Sequence, residues 1–441
     1  MKTFTINKLL KSVVTRHSFG QNILITAAGS STAYLVGFLF TPFIARVYGP
    51  EAYGSFAVFN TLTINLSLLA SLGYEQAVIL PKTRTQFHSM VLLNLLIIGF
   101  FSIFLFFVLL VLPVEFLKRM DIVSLRPWLP VLPLVILFNV FGQVFTSVGV
   151  RHKKFLTNSA SRVLSVVGTK GYALLHGILI APKVTGFILS EIGGKLLYLV
   201  WLLRQRTIYR SVLKAFSSRS IKSLKQTAQE FIHYPKFNLP AVWTATLSAQ
   251  IPIFFILYAF GSKEVGYYSM ANMLLFIPLN LVGRSVGTVF LQKATELVHS
   301  RNLIEIRTIC TNIIYLTLMF CILPSILLFI FSKEFFTIFL GEEWVVSGEM
   351  ARWLLLYVVI ELVALPISSL YRVLRQEKQF LFFNLVAIVI ILLSLVIGWT
   401  FNDIIALIIF LAIGKSIESL LKIIVIMRIL NRKIHANTPD Y

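Results

Sequence analysis

The sequence predicts an all-α integral membrane protein of about 12 transmembrane helices, arranged as two homologous six-helix bundles. Three observations carry this. Hydrophobic residues make up 57% of the 441, against about 45–50% in soluble proteins. Apolar runs of roughly 20 residues, enough to cross about 30 Å of hydrocarbon, recur along the whole chain. The third is an internal repeat, in which one hairpin pattern is used twice.

The repeat is clearest between PFIARVYGPEAYGSFAVFN (42–60) and FILYAFGSKEVGYYSMAN (255–272). Gly49 matches Gly261, Gly54 matches Gly266, Phe56 matches Tyr268 and Asn60 matches Asn272, each at an offset of 212. Glycines flanking a short spacer suit a tight reversal between helices, because glycine tolerates positive φ. Gly73 pairs with Gly283, and Arg151-x-x-Lys154 returns as Arg375-x-x-Lys378 at an offset of 224, so the halves join near residue 220.

In chain order, the reading is a tail over 1–21, a first bundle over 22–203, a basic linker over 204–239, a second bundle over 240–430 and a tail over 431–441. The first six spans are placed at 22–46, 53–80, 87–112, 128–150, 158–181 and 184–203. The second six are placed at 240–260, 265–290, 308–331, 347–371, 380–400 and 404–427. Segments 113–127 and 332–347 read as short solvated loops, and 204–236 as an amphipathic segment lying on an anionic membrane surface. Pro42, Pro252 and Pro278 fall inside spans and mark bends.

The net charge of +22 rests on 40 Lys and Arg against 18 Asp and Glu. Their placement follows the membrane and not a nucleic acid, which is excluded as a partner. With the N-terminus taken as cytoplasmic, 26 basic residues fall in inner loops and tails and 6 in outer loops, so both termini are expected inside. Only Ile23–Ile25 precede the small residues Ala27-Ala28-Gly29, too short for the apolar core of a signal peptide, so the first helix is expected to be retained. Cys310 and Cys321, 11 residues apart on one helix, lie about 16 Å apart, too far for a disulfide.

A charge at mid-bilayer costs about 2.5–3.5 kcal/mol on insertion scales, so each needs a partner or a function. Eight basic residues fall in or at the ends of spans, namely Arg46, Arg162, Lys170, Lys195, Arg284, Arg352, Lys415 and Lys422, against the acids Glu75, Glu191, Glu361 and Glu418. Glu191–Lys195 and Glu418–Lys422 are spaced i, i+4 as structural ion pairs, and Glu349 stands one turn before Arg352. Lys170 and Arg284 have no acid nearby on their own helices and most need an anion. Arg162 and Arg46 lie nearer the interfaces, and Lys415 shares Glu418 with Lys422. Moving a pyrophosphate through hydrocarbon costs on the order of tens of kcal/mol unless countercharge accompanies it. Lys170, Arg284, Arg162, Arg46 and Lys415 are therefore the candidate anion-binding residues, with Glu75 and Glu361 the candidate proton-coupling acids.

No catalytic or metal-binding constellation is found, and no cofactor is expected. H-E-x-x-H and G-x-G-x-x-G are absent as working motifs. Gly414-Lys415-Ser416 has the ending of a phosphate-binding loop, but Ile409 stands where its first glycine belongs. No soluble stretch is large enough for a nucleotide-binding domain, so transport is expected to use an ion gradient or none.

With these features in place, Arg46-Val47-Tyr48-Gly49-Pro50-Glu51-Ala52-Tyr53-Gly54, the turn from Arg151 to Phe155 and the helix count together resemble the polysaccharide transporters of the MOP flippase superfamily, and most of all the Wzx-type O-antigen flippases. The second copy departs from the motif, with Ser262-Lys263 in place of Pro50-Glu51. The resemblance implies a cavity between two bundles that opens to each face in turn. It further implies transfer of undecaprenyl-pyrophosphate-linked oligosaccharide to the periplasmic leaflet of a bacterial inner membrane, with a polysaccharide polymerase and a chain-length regulator as further partners. Two alternatives remain: a cation or drug antiporter of the MATE type, which the basic interior opposes, and a membrane glycosyltransferase, which the short outer segments oppose.

Overall fold

The computed structural model describes residues 19–119, 123–217, 220–300 and 302–437, so the tails at 1–18 and 438–441 lie outside the description. Among the described residues the chain is helical, with no strand. It forms two compact units, Met1–Leu247 and Ser248–Tyr441.

The first unit contains α1 (Phe19–Val47), α2 (Pro50–Ser71), α3 (Arg84–Leu110), α4 (Leu132–Arg151), α5 (Phe155–Leu179) and α6 (Val184–Arg204). α5 lies between α1 and α6, while α4 packs on α2, α3 and α6. α7 (Leu239–Phe260) carries the chain across the division. The second unit contains α8 (Ser262–His299), α9 (Leu303–Ile330), α10 (Val345–Ile367), α11 (Glu377–Phe401) and α12 (Ile404–Asn437). Here α10 packs on α8, α9 and α12, the place that α4 holds in the first unit.

Eleven of these 12 helices are long and apolar enough to cross a membrane. The exception, α5, is 25 residues long and carries Arg162 and Lys170 beside Thr157, Asn158, Ser159, Ser161, Ser165 and Thr169. Part of its polar face is enclosed: Asn158 and Ser161 are buried, and Ser165 donates to the Gly194 carbonyl of α6 at 2.9 Å. α9 lies at the other extreme, presenting Met319, Phe320, Leu323, Ile326 and Ile330 outward, as a lipid-facing helix does.

The signature turn is an aromatic latch. Tyr48 is fully buried and donates its hydroxyl proton to the Ala173 carbonyl of α5 at 2.8 Å. Its ring lies 4.2 Å from that of Phe187 on α6, against which Phe56 of α2 also stacks at 4.7 Å. Gly177 makes room for the Tyr48 ring, since a Cβ there would sit 2.6 Å from Val47 Cγ1 and just as tightly on the ring itself. Gly49, however, adopts φ −69°, ψ 170°, extended backbone open to any residue, and only Gly261 takes the expected positive φ, at +89°.

The structure revises the repeat in two places. Gly73 breaks the chain after α2 with φ +77°, whereas Gly283 closes a π-helical turn (Leu279–Gly283) within the continuous α8. The expected span at 53–80 therefore ends at Ser71, while its counterpart runs on to His299. Likewise, the amides of His152, Lys153 and Lys154 bond to the carbonyls of Val148, Val150 and Gly149, and those of Leu374, Arg375 and Gln376 bond to Leu370, Arg372 and Tyr371. Lys153 and Arg375 share the left-handed position, at φ +56° and +58°. These turns correspond at an offset of 222, two residues short of what the Arg-x-x-Lys spelling suggests.

The connecting segments carry more helix than expected. Region 113–127 includes Val114–Arg119 and the start of a 3-10 segment, Val123–Val131. Region 332–347 is not a loop. It folds as the helix Ser332–Leu340, seated on α10 where Gly348 leaves its backbone room. The basic linker forms two helices, Arg206–Ser217 and Ile221–Glu230.

Candidate functional site

Each unit encloses its own cluster of charged and polar side chains. In the first, a cavity of about 180 Å³ is lined by Asn60 and Thr63 of α2, Asn139 of α4, and Glu191 and Lys195 of α6. Lys195 and Glu191 are paired at 3.7 Å, and Asn139 donates to Ser67 Oγ at 3.1 Å. Lys170, half-buried on α5, makes no ion pair among the described residues; Glu191 is the charged group that acts on it. One carboxylate thus serves two lysines, Lys195 by direct pairing and Lys170 through space. The acid that reaches Lys170 comes from the neighbouring helix, where spacing along α5 could not reveal it.

In the second unit, Lys415 of α12 sits 5.1 Å from the ring centroid of Tyr357 on α10, within electrostatic reach of Glu361 and Glu418. Glu361 accepts a hydrogen bond from Ser419 at 2.7 Å. Glu418 pairs with Lys422 at 2.5 Å, as its spacing predicted. Tyr357 and Glu361 lie i, i+4 on α10, so both reach the same side of α12.

The two clusters occupy matching places. α6 begins at Val184 and α12 at Ile404, and at that same offset of 220 Gly194-Lys195 meets Gly414-Lys415. In each pair the glycine admits a neighbour: a Cβ on Gly194 would collide with Thr169 of α5, and one on Gly414 with Ile390 of α11. At the offset of 222 that relates α4 to α10, Asn139 corresponds to Glu361. Each bundle therefore presents a lysine from its last helix to a polar residue on its central one. This signal was present in the sequence, where the second Gly-Lys pair reads as a chance fragment of a phosphate loop.

None of Arg162, Arg46 and Glu75 lines the cavity of the first cluster. Arg162 is exposed and donates to Ser30 Oγ of α1 at 2.8 Å. Arg46 is exposed in the last turn of α1. Arg284 follows the π-helical turn at the start of Arg284–His299, and its side chain lies outside the description. Glu75 is buried in the short helix Tyr74–Ala77, and its Oε2 has no hydrogen-bond partner among the described residues. The expected Glu349–Arg352 pairing is corrected: Glu349 binds Lys333 at 3.1 Å, while Arg352 donates to the Ile330 carbonyl at 3.2 Å. The physical cause is the fold-back of Ser332–Leu340 onto Gly348, where a Cβ would sit 2.9 Å from Lys333 Cα.

The chain is a many-spanning helical membrane protein with charged clusters inside repeated bundles, and solved structures share its fold. The chain covers 95% of itself and 94% of the lipid II flippase MurJ in an inward closed conformation, at TM-score 0.69 and 13% identity. An inward-facing multidrug resistance MATE family transporter of the MOP superfamily matches 92% of the chain and 96% of its own length at TM-score 0.67 and 15% identity. Residues 43–349 match the model of the polysaccharide biosynthesis protein family, and the chain belongs to that family. An uncharacterized membrane protein in the cps region of Klebsiella pneumoniae is 22% identical over 413 residues, covering 90% of this chain and 79% of that protein.

Proposed function

We propose that the protein translocates an undecaprenyl-pyrophosphate-linked oligosaccharide, an O-antigen or similar repeat unit, from the cytoplasmic to the periplasmic leaflet of a bacterial inner membrane. It acts as a carrier and not as an enzyme, with both termini cytoplasmic, as the distribution of basic residues favours. The observation that carries this reading is the surplus cation among Lys170, Lys195 and Glu191 within the helices of the first unit. A charge left unbalanced in a span is costly, and a phosphorylated guest supplies the missing anion. Lys415 makes a corresponding contact point in the second unit, and Arg46, Arg162 and Arg284 are further candidate contacts along the path. A lipid-linked anion can pass its head through such surroundings while its tail stays in the bilayer. A carrier of organic cations requires the opposite balance.

Glu361 and Glu75 are the acids through which a proton gradient would act. Glu361 is the stronger candidate of the two, since it lies beside Lys415 and changes the charge there on protonation. The test is complementation of a strain lacking the gene. Lys170→Ala and Arg284→Ala are expected to reduce surface polysaccharide below about a tenth of the wild-type amount with membrane protein levels unchanged, and Lys170→Arg is expected to restore it. Normal polysaccharide in both alanine variants would remove the assigned anion site.

A further inference from the structure

A second cavity lies at one end of the first unit, where α3 begins, α4 ends and the helix Arg206–Ser217 passes across them. It measures about 420 Å³. Its walls bring together Arg84 and His88 of α3, Arg151 and His152 at the end of α4, and Arg206, Arg210 and Lys214 of the crossing helix. No carboxylate is among its lining residues within the described part of the chain.

The cavity is built, and not merely a charged surface. Arg151 is fixed by donating to the Ile79 carbonyl at 2.9 Å and by lying 4.5 Å over the Phe87 ring. His152 is held against Ser211 of the crossing helix at 3.1 Å. Arg84, Arg206, Arg210 and Lys214 carry no ion pair among the described residues. Cations gathered without a counterion repel one another, and arginine forks match the oxygens of a phosphate.

The crossing helix also indicates the source of that phosphate. Arg206, Arg210 and Lys214 recur every fourth residue and form one stripe facing the cavity. Tyr209, Leu213 and Phe216 form the adjoining stripe and are 48%, 48% and 40% exposed. A cationic stripe beside an exposed apolar one fits the boundary between headgroups and acyl chains. We propose that this cavity binds the phosphate of a membrane lipid headgroup, whose acyl chains lie against Tyr209, Leu213 and Phe216. The site is distinct from the buried clusters and does not depend on the transport reading.

The test uses the full chain in nanodiscs of phosphatidylglycerol and phosphatidylcholine, with lipid retention read by native mass spectrometry. The wild type is expected to retain phosphatidylglycerol selectively. R206Q/R210Q is expected to weaken retention about tenfold, from the loss of two charge-assisted contacts. Inorganic pyrophosphate at millimolar concentration is expected to displace the lipid. K222Q/K225Q removes the same charge from Ile221–Glu230, outside the cavity, and is expected to change nothing. The single variant Lys214→Gln gives a partial loss and serves where the double variant unfolds. Equal losses in the two double variants would reduce the effect to diffuse surface charge and overturn the proposal. Binding of pyrophosphate without lipid selectivity would also overturn it, by assigning the site to a soluble phosphate.

Discussion

Ser419 donates its hydroxyl proton to Glu361 Oε2 at 2.7 Å, tying α12 to α10 beside Lys415. This bond separates a structural role for Glu361 from a coupling one. Glutamine at 361 still offers a carbonyl oxygen to Ser419 but cannot take up a proton. Glu361→Gln is expected to leave thermal stability within about 1 kcal/mol of wild type, since one acceptor replaces another. Transport into proteoliposomes is expected to lose its dependence on an imposed proton gradient. If that dependence survives in the variant, Glu361 is a packing residue and the coupling acid lies elsewhere.

Close helix approaches make a second, purely structural prediction. A Cβ built on Gly398 of α11 would sit 2.7 Å from Leu407 Cγ and closer still to its Cβ, inside the α11–α12 hairpin. Gly348 is similar: a Cβ there would lie 2.7 Å from the Ser332 carbonyl oxygen. Gly398→Ala and Gly348→Ala are each expected to cost about 1–3 kcal/mol, because backbone must move. The Lys333–Glu349 pair above Gly348 is over a third exposed on both partners, 37% and 35%, so Lys333→Ala is expected to cost under about 1 kcal/mol. Thermal melts in one detergent rank the three, and a Lys333→Ala loss as large as that of Gly348→Ala would contradict this account.

These contacts also show what could be read from sequence. The bundles, the hairpin repeat and the i, i+4 pairs were legible because they depend on local spacing and composition. Gly261 was legible as a positive-φ glycine, while Gly49 was not distinguished from it, since two identical residues in matching turns adopt different backbone angles. Partners that meet across helices were hidden. Glu191 reaches Lys170 from α6, and Lys333 reaches Glu349 only because Ser332–Leu340 folds back. The Gly194-Lys195 and Gly414-Lys415 pair was visible at an offset of 220. It is obscured because the offset varies along the chain, 212 at the hairpin, 222 at the turn after α4 and 220 at the lysines, so that no single shift aligns both halves.

His152 provides a pH prediction outside the membrane spans. Burial, and then the charges of Arg151 and Lys154, hold its pKa below the ordinary 6.5. His88, Arg84 and Lys214 share its surroundings and add no negative charge. The unfolded chain therefore binds a proton more readily than the folded one. The resulting contribution is fully present above about pH 6.5 and is lost as pH falls through the lower folded value. His152→Gln is expected to narrow the difference in melting temperature between pH 7.5 and 5.5. An unchanged difference would mean that other groups account for the acid sensitivity.

Glu191 gives the sharpest test of the interior, because removing it moves two observables in opposite directions. It pairs with Lys195 at 3.7 Å and is the charged group that acts on Lys170, so the cluster carries one excess positive charge. Glu191→Gln leaves Lys195, which lines the cavity of about 180 Å³, and Lys170 on the neighbouring helix without that counterion. Stability is expected to fall by about 1–2 kcal/mol, below the cost of breaking a fully buried pair because both side chains retain some solvent contact. Affinity for inorganic pyrophosphate, measured by calorimetry in the R206Q/R210Q background to silence the surface cavity, is expected to rise, since the anion now meets two free cations. Lys195→Gln should do the reverse to affinity, because Glu191 is then left to neutralise Lys170. Weaker pyrophosphate binding in Glu191→Gln would show that the carboxylate positions the lysines for the anion, and the surplus-charge account would fail.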